Sequence, residues 1–160
     1  MLNGIRVSFF RLRFCRADAQ NKNLVLTCTT TGNIYLYDFG NGSNTPVRAF
    51  NNHTSKSTLS WSNFYPNVFF SGSMDQKIYM WDYRENKPTS QYKLNGNKVK
   101  HIMCDPFSEY QFAAGYSDKT VRVWDFRYTH KTLVSYSPHL MEVTYLDWHP
   151  TEKNVLLSGG

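Results

Sequence analysis

Residues 70–84 read FSGSMDQKIYMWDYR, and their reading decides the fold. Val68, Phe69 and Phe70 run straight into Ser71-Gly72-Ser73, Asp75-Gln76 marks a turn, and Lys77 to Trp81 forms a second run that closes on Trp81-Asp82. A continuous apolar run bounded by turn residues suits a strand buried on both faces. Asp75 stands where a tight turn needs a side-chain oxygen to accept backbone N–H groups. The stretch is therefore a β-hairpin whose two strands are covered from both sides.

The same pattern returns along the chain. Ala113-Ala114-Gly115-Tyr116-Ser117-Asp118 leads to Trp124-Asp125, 43 residues beyond Trp81-Asp82. Upstream, Leu26-Thr27-Cys28-Thr29 leads to Tyr37-Asp38, and downstream Leu156-Leu157-Ser158-Gly159-Gly160 begins a further copy. A repeat of about 40–45 residues ending in Trp-Asp resembles the WD repeat, one four-stranded blade of a β-propeller. The resemblance implies an all-β fold, a partial β-propeller of about three and a half blades over residues 1–160, with blade ends near Asp38, Asp82 and Asp125 and a fourth blade cut at Gly160. A closed ring of such blades needs on the order of 260–300 residues. The 160 residues are accordingly expected to be part of a longer protein, and to fold poorly alone, because an unclosed stack leaves apolar sheet faces open.

Composition narrows the function. The net charge is +6, with Arg6, Arg11, Arg13 and Arg16 close together and the other basic residues scattered. Nucleic-acid binding asks for a clustered basic stripe with interleaved aromatics, which the sequence lacks. Cys15, Cys28 and Cys104 are odd in number and far apart, which argues against a disulfide framework and for a reducing compartment. Arginines interrupt the apolar N-terminal residues, so no secretory signal is read there. The letters of two glycosylation sequons, at Asn41 and Asn52, are taken as chance for the same reason.

Strand and short loop alternate throughout, with almost no helix expected. Inner strands are read at Ile5 to Phe14, around Leu59 and Trp61, around Val99 to Cys104 and from Val143 to Trp148. Outer strands are read at Val47 to Asn51, Ser90 to Leu94 and Thr132 to Tyr136. Asn95-Gly96 is a strong turn signal.

The WD-repeat resemblance implies that one blade carries a His, a Ser or Thr, an Asp and a Trp hydrogen-bonded in series. Here those residues are His53, Ser71, Asp75 and Trp81. The chemistry is coherent, since a buried indole N–H needs an acceptor and a carboxylate fixes an imidazole tautomer by accepting its N–H. The third blade keeps Asp118 and Trp124 but has Ala114 at the serine position and Asn95 near the histidine position, so its network is expected to be weaker. The first blade has Thr27, Thr31 and Tyr37 instead, and the fourth shows His139 and Ser158. A serine-hydrolase reading of His53, Ser71 and Asp75 is rejected because no nucleophile elbow accompanies them. No catalytic, cofactor-binding or metal-binding residue is assigned. His101 and Cys104 have ligand-like spacing, but residues three apart on a strand point to opposite faces, and they are read as ordinary strand residues, like His130 and His149.

Two features bear on partners. Trp81-Asp82-Tyr83-Arg84 and Trp124-Asp125-Phe126-Arg127 repeat a Trp-Asp-x-Arg pattern that resembles the docking box of substrate receptors of cullin ubiquitin ligases. Asp82, Arg84, Asp125 and Arg127 are thus candidate partner-binding residues, with the two guanidiniums expected side by side as one basic pair. Separately, VTYLDWHP at residues 143–150 and NVFFSGSMD at residues 67–75 resemble WD-repeat subunits of the SEA complex, a regulator of TOR kinase signalling at the vacuole or lysosome surface. The expected function is a non-enzymatic scaffold for protein partners in a multi-subunit complex. The resemblance implies an intracellular, cytoplasmic place with peripheral membrane association through partners, the nucleus left open, and neither a cofactor nor a small-molecule substrate. The cullin-receptor reading is the alternative, and an enzyme the remote one.

Overall fold

The computed structural model describes residues 9–14 (backbone only), 23–42, 45–93 and 96–160. The readings placed on Arg6, Cys15, Arg16, Leu94 and Asn95 lie outside these residues, as do the side chains of Arg11 and Arg13. Four antiparallel sheets follow one another along the chain. The first holds β1 (Phe9–Phe14), β2 (Leu24–Thr29), β3 (Ile34–Asp38) and β4 (Arg48–Phe50). The second holds β5 (Ser57–Trp61), β6 (Val68–Ser73), β7 (Lys77–Asp82) and β8 (Ser90–Lys93). The third holds β9 (Val99–Cys104), β10 (Gln111–Tyr116), β11 (Val121–Asp125) and β12 (Thr132–Tyr136). The last pairs β13 (Tyr145–Trp148) with β14 (Leu156–Gly159). Each full sheet is a meander in chain order, and the helical content of the described residues is a single 3-10 turn at Phe39–Asn41. This is an all-β, open, partial propeller.

The apolar run of the second hairpin is explained by what lies on each face. Successive strand residues point to opposite faces. Phe69, Tyr79 and Trp81 pack with Leu26, Ile34, Leu36 and Phe50 of the first sheet. Phe70 and Ile78, their immediate neighbours, pack with Ile102, Phe112 and Trp124 of the third. The pattern repeats one sheet further on, where Ala113 and Val123 pack with Val143, Leu146 and Trp148. Each Trp-Asp indole stacks on a phenylalanine from the adjacent strand: Trp81 on Phe69 with centroids 5.8 Å apart, and Trp124 on Phe112 at 6.1 Å. Burying an indole removes on the order of 150–250 Å² from water, worth about 4–6 kcal/mol.

Two glycines set the distance between sheets. A Cβ on Gly72 would meet the Val99 side chain at 2.5 Å, and one on Gly115 would meet Val143 at 2.7 Å. In each case a valine at or just before the inner strand of the following blade thus sits against the bare backbone of the blade before it. Gly159 holds the equivalent place on β14, where the nearest contact among the described residues is Tyr145 Cβ at 3.8 Å. Correspondingly, Leu157 is 66% exposed whereas Phe70 and Ala113, at the same position of earlier blades, are fully buried. Tyr92 is buried and donates its hydroxyl to Phe126 O of the next blade at 2.6 Å, while Tyr136, its counterpart on β12, is 40% exposed.

Candidate functional site

In the second blade, β6 supplies Ser71, the β6–β7 turn Asp75, β7 Trp81, and the segment before β5 His53. The indole Nε1–H of Trp81 donates to Ser71 Oγ at 2.8 Å. Ser71 Oγ lies 2.8 Å from His53 Nε2, and His53 Nδ1 lies 2.9 Å from Asp75 Oδ2. One proton order satisfies every atom with a neutral ring: Trp81 donates to Ser71, Ser71 to His53 Nε2, and His53 Nδ1–H to the carboxylate. Asp75 also accepts the backbone N–H groups of Thr54 and Lys77, each at 3.1 Å. Burial alone would push this carboxyl up. The His53 hydrogen bond, with the two backbone donors, outweighs that effect and holds its pKa below the usual carboxylate range. Gln76 takes the left-handed conformation that the turn requires, at φ 72°. Lys119 does the same in the third blade, at φ 71°.

The third blade is built differently from its sequence-level expectation. Ala114 offers no hydroxyl, yet the Trp124 indole is not unpaired: it donates to Tyr116 Oη at 3.0 Å. Tyr116 is fully buried, and burial pushes its phenol pKa up. Above its ring, 4.6 Å from the centroid, lies the Arg122 guanidinium, which donates to Asp118 Oδ2 at 2.6 Å. The chain of polar contacts from indole to turn aspartate is thus rebuilt from Tyr116 and Arg122. Tyr116 escapes a motif reading because it lies two residues past the serine position. The signal was available, since period-2 alternation puts residues 114 and 116 on one face.

In the first blade Tyr37 takes the tryptophan position and stacks on Phe39, while Thr31 pairs with Thr29 at 2.9 Å; Thr27 Oγ1 is buried without a partner. In the last sheet His139 Nε2 already lies 2.8 Å from Ser158 Oγ. His101 packs on Tyr145, whereas Cys104 lies in the core toward the second blade, with burial pushing its thiol up to about 12. His149 is no idle strand residue: its Nδ1 accepts the backbone N–H of Glu152 at 2.9 Å, capping the turn as Asp105 and Ser62 do in the preceding blades. Among the described residues, no cluster of His, Cys, Asp and Glu stands ready for a metal ion.

The two Asp-x-Arg elements share one geometry. Asp82 Oδ1 accepts both the backbone N–H of Arg84 and its Nε–H, at 3.0 and 2.9 Å, and Oδ2 accepts Nη2. Asp125 and Arg127 repeat this at 3.0 and 2.9 Å. In each pair the arginine's hydrogen bond is the main cause holding the carboxylate pKa low. Of the two arrangements the sequence allows, one shared basic pair or an acid beside each arginine, the structure shows an acid beside each. Each folds back on its own aspartate, because a carboxylate two residues away offers a bidentate partner with little entropy to lose. Arg127 lies in addition over the Tyr110 ring at 4.3 Å.

Comparison with known proteins follows this geometry closely. The family model described as "WD domain, G-beta repeat" matches residues 44–82 and 87–125. The chain is 30% identical over 141 residues to GATOR2 complex protein Wdr24 of Drosophila melanogaster, covering 87% of this chain and 18% of that protein. It is 31% identical over 132 residues to GATOR2 complex protein WDR59 of Homo sapiens, covering 76% and 12%. With GATOR2 complex protein WDR24 of Danio rerio it shares 26% over 157 residues, covering 93% and 20%. The chain therefore spans a fifth or less of the length of these relatives. In the crystal structure of a mitotic checkpoint complex, one chain superposes with a TM-score of 0.80 at 22% identity, over 95% of this chain and 44% of that one, a likeness of fold.

Proposed function

Because the chain belongs to the WD-repeat family, we propose that it is a non-enzymatic scaffold segment of a subunit of a GATOR2-type, or SEA-type, complex acting in TOR kinase signalling. The observation that carries this reading is the similarity to GATOR2 complex proteins, which runs across successive blades instead of resting on one motif. The architecture supports it. Rigid sheets hold loops at both ends of the stack, and loops on a rigid frame are where proteins place binding residues. The His53–Ser71–Asp75–Trp81 chain supports it too, since each of its polar groups is committed to a neighbour and serves the frame. The proposed place of action is the cytoplasm, with partners bringing the protein to the lysosomal or vacuolar surface. Among the described residues no helix is long and apolar enough to cross a membrane.

The test is affinity purification of the full-length protein from its own cells, followed by identification of stoichiometric partners. Recovery of other GATOR2-type subunits is the expected result, and their absence would overturn the proposal. A second reading has one observation in its favour. The Arg84 and Arg127 side chains remain 62% and 54% exposed in successive blades, as docking to a cullin-ligase adaptor through Asp82/Arg84 and Asp125/Arg127 would require. A cullin and its propeller adaptor in the same purification would favour that reading.

A further inference from the structure

The two ends of the stack differ in charge. The end with Arg84 and Arg127 neutralises itself, since both arginines are held by their own aspartates. At the end that carries the β6–β7 and β10–β11 turns, the acids are already used: Asp75 by His53, Asp118 by Arg122 and Glu142 by Lys100. Lys77, Lys93, Lys98 and Lys119 lie at this same end, and among the described residues none of them makes an ion pair. Lys77 and Lys93 even stand directly opposite each other on β7 and β8. Like charges so placed repel each other, and an anion brought by another molecule would relieve them.

The segment between β12 and β13 adds an apolar point to this basic end. Leu140 is 89% exposed and Met141 is 69% exposed. Ser137 Oγ donates to Lys119 O at 3.4 Å, and Glu142 pairs with Lys100 at 2.6 Å, so the segment with the two apolar residues is held at one end to the β10–β11 turn and at the other to the start of β9. The His139–Ser158 contact, 2.8 Å like that of His53 and Ser71, makes Leu140 the counterpart of Thr54. Thr54 is exposed although its own blade is complete and its N–H is held by Asp75. The position is therefore an exposed one by design of the blade, and here it carries leucine.

We infer that this end of the stack is a docking surface for an extended acidic peptide segment of a protein partner that also carries an apolar side chain. The apolar side chain covers Leu140 and Met141, and flanking carboxylates meet Lys98 and Lys119, with Lys77 and Lys93 extending the track onto the second blade. Charge complementarity selects this occupant over a second copy of the chain, whose equivalent end carries the same positive charge.

The probe is a fluorescein-labelled synthetic peptide of alternating Glu and Leu, titrated with the full-length protein and followed by fluorescence anisotropy. Two control peptides replace all Leu by Ser, or all Glu by Lys. Binding of the Glu/Leu peptide alone is expected, weakening as salt shortens the screening length below ~10 Å. Leu140→Ser with Met141→Ser, and separately Lys98→Glu with Lys119→Glu, should each weaken it about tenfold or more. Arg84→Ala at the other end should leave it unchanged. Equal binding of the Ser control, no loss in the lysine variant, or self-association that Leu140→Ser abolishes would overturn the inference. The peptide controls need no variant, so a poorly folding variant does not rescue it.

Discussion

In the second blade the Trp81 indole gives its proton to Ser71 on β6, whereas in the third the Trp124 indole gives its proton to Tyr116, two residues further along the same kind of strand. The rings beside these acceptors also exchange places. His53 lies 4.8 Å from Tyr79, while Tyr116 lies 4.6 Å below Arg122, which holds the position of Tyr79. Both indoles stack on a phenylalanine and both turns keep an aspartate. What the blade demands is a buried acceptor for the indole and a partner for the turn carboxylate. Which residue types meet the demand is open, because an unpaired buried N–H costs the same whichever acceptor is missing.

The largest effect expected from this comparison is at Ser71. Ser71→Ala strands both the Trp81 N–H and His53 Nε2, and should cost about 2–4 kcal/mol in denaturant melts of the full-length protein. Tyr116→Phe strands the Trp124 N–H alone, with its ring still stacked under Arg122, and should cost about 1–2 kcal/mol. Equal losses would mean that His53 gains nothing from Ser71. The sharper form is a rescue. Ala114→Ser in the Tyr116→Phe background moves one oxygen from the ring to the strand, at the place Ser71 occupies one blade earlier. Stability should return, and failure to return would show that the two blades are not interchangeable at this point.

Much of this was legible in the sequence. The 43-residue spacing and the doubly buried hairpin could be read directly, and the residues His53, Ser71, Asp75 and Trp81 followed from the WD-repeat resemblance those features carry. The third blade was not legible as a network, because a motif scan asks for a hydroxyl at residue 114 and the fold needs one only within reach of an indole. The expectation of a weaker network in the third blade meets instead a network rebuilt through Tyr116 and Arg122. Asp118 holds the Arg122 guanidinium, whose side chain is 11% exposed, and removing it would strand a charge. The pairing of Arg84 and Arg127 with a neighbouring acid was one of two arrangements the sequence allowed, because a pattern fixes where a side chain starts and leaves open where it ends.

A smaller effect is expected in acid. The native pKa of Asp75 lies below its ordinary value, so the stability it contributes is fully present above about pH 4 and is lost as pH falls through the native pKa, when the folded state must also take up the proton. Asp75→Asn should melt lower at neutral pH and lose less than the wild type between neutrality and strong acid. Parallel acid profiles for the two proteins would show that the carboxylate is not ionised against His53.

The smallest effect concerns the arginines at the opposite end. Each ion pair is local and its guanidinium more than half exposed, so either Arg→Ala change should leave the melting temperature almost unchanged. Arg127→Ala should cost slightly more than Arg84→Ala, because Arg127 also covers the Tyr110 ring. Here stability and binding pull apart. A guanidinium held by Nε and Nη2 on its own aspartate keeps only its Nη1 edge for a partner, whereas Asp82 and Asp125 keep their turns intact without it by accepting the backbone N–H of the same residue. The double variant Arg84→Ala/Arg127→Ala is thus expected to fold almost as the wild type does and to keep its full set of purified partners. Selective loss of one partner at an unchanged melting temperature would instead make the Asp-x-Arg pairs a docking element. A lowered melting temperature with every partner retained would leave them as braces of the loops that follow Trp81 and Trp124.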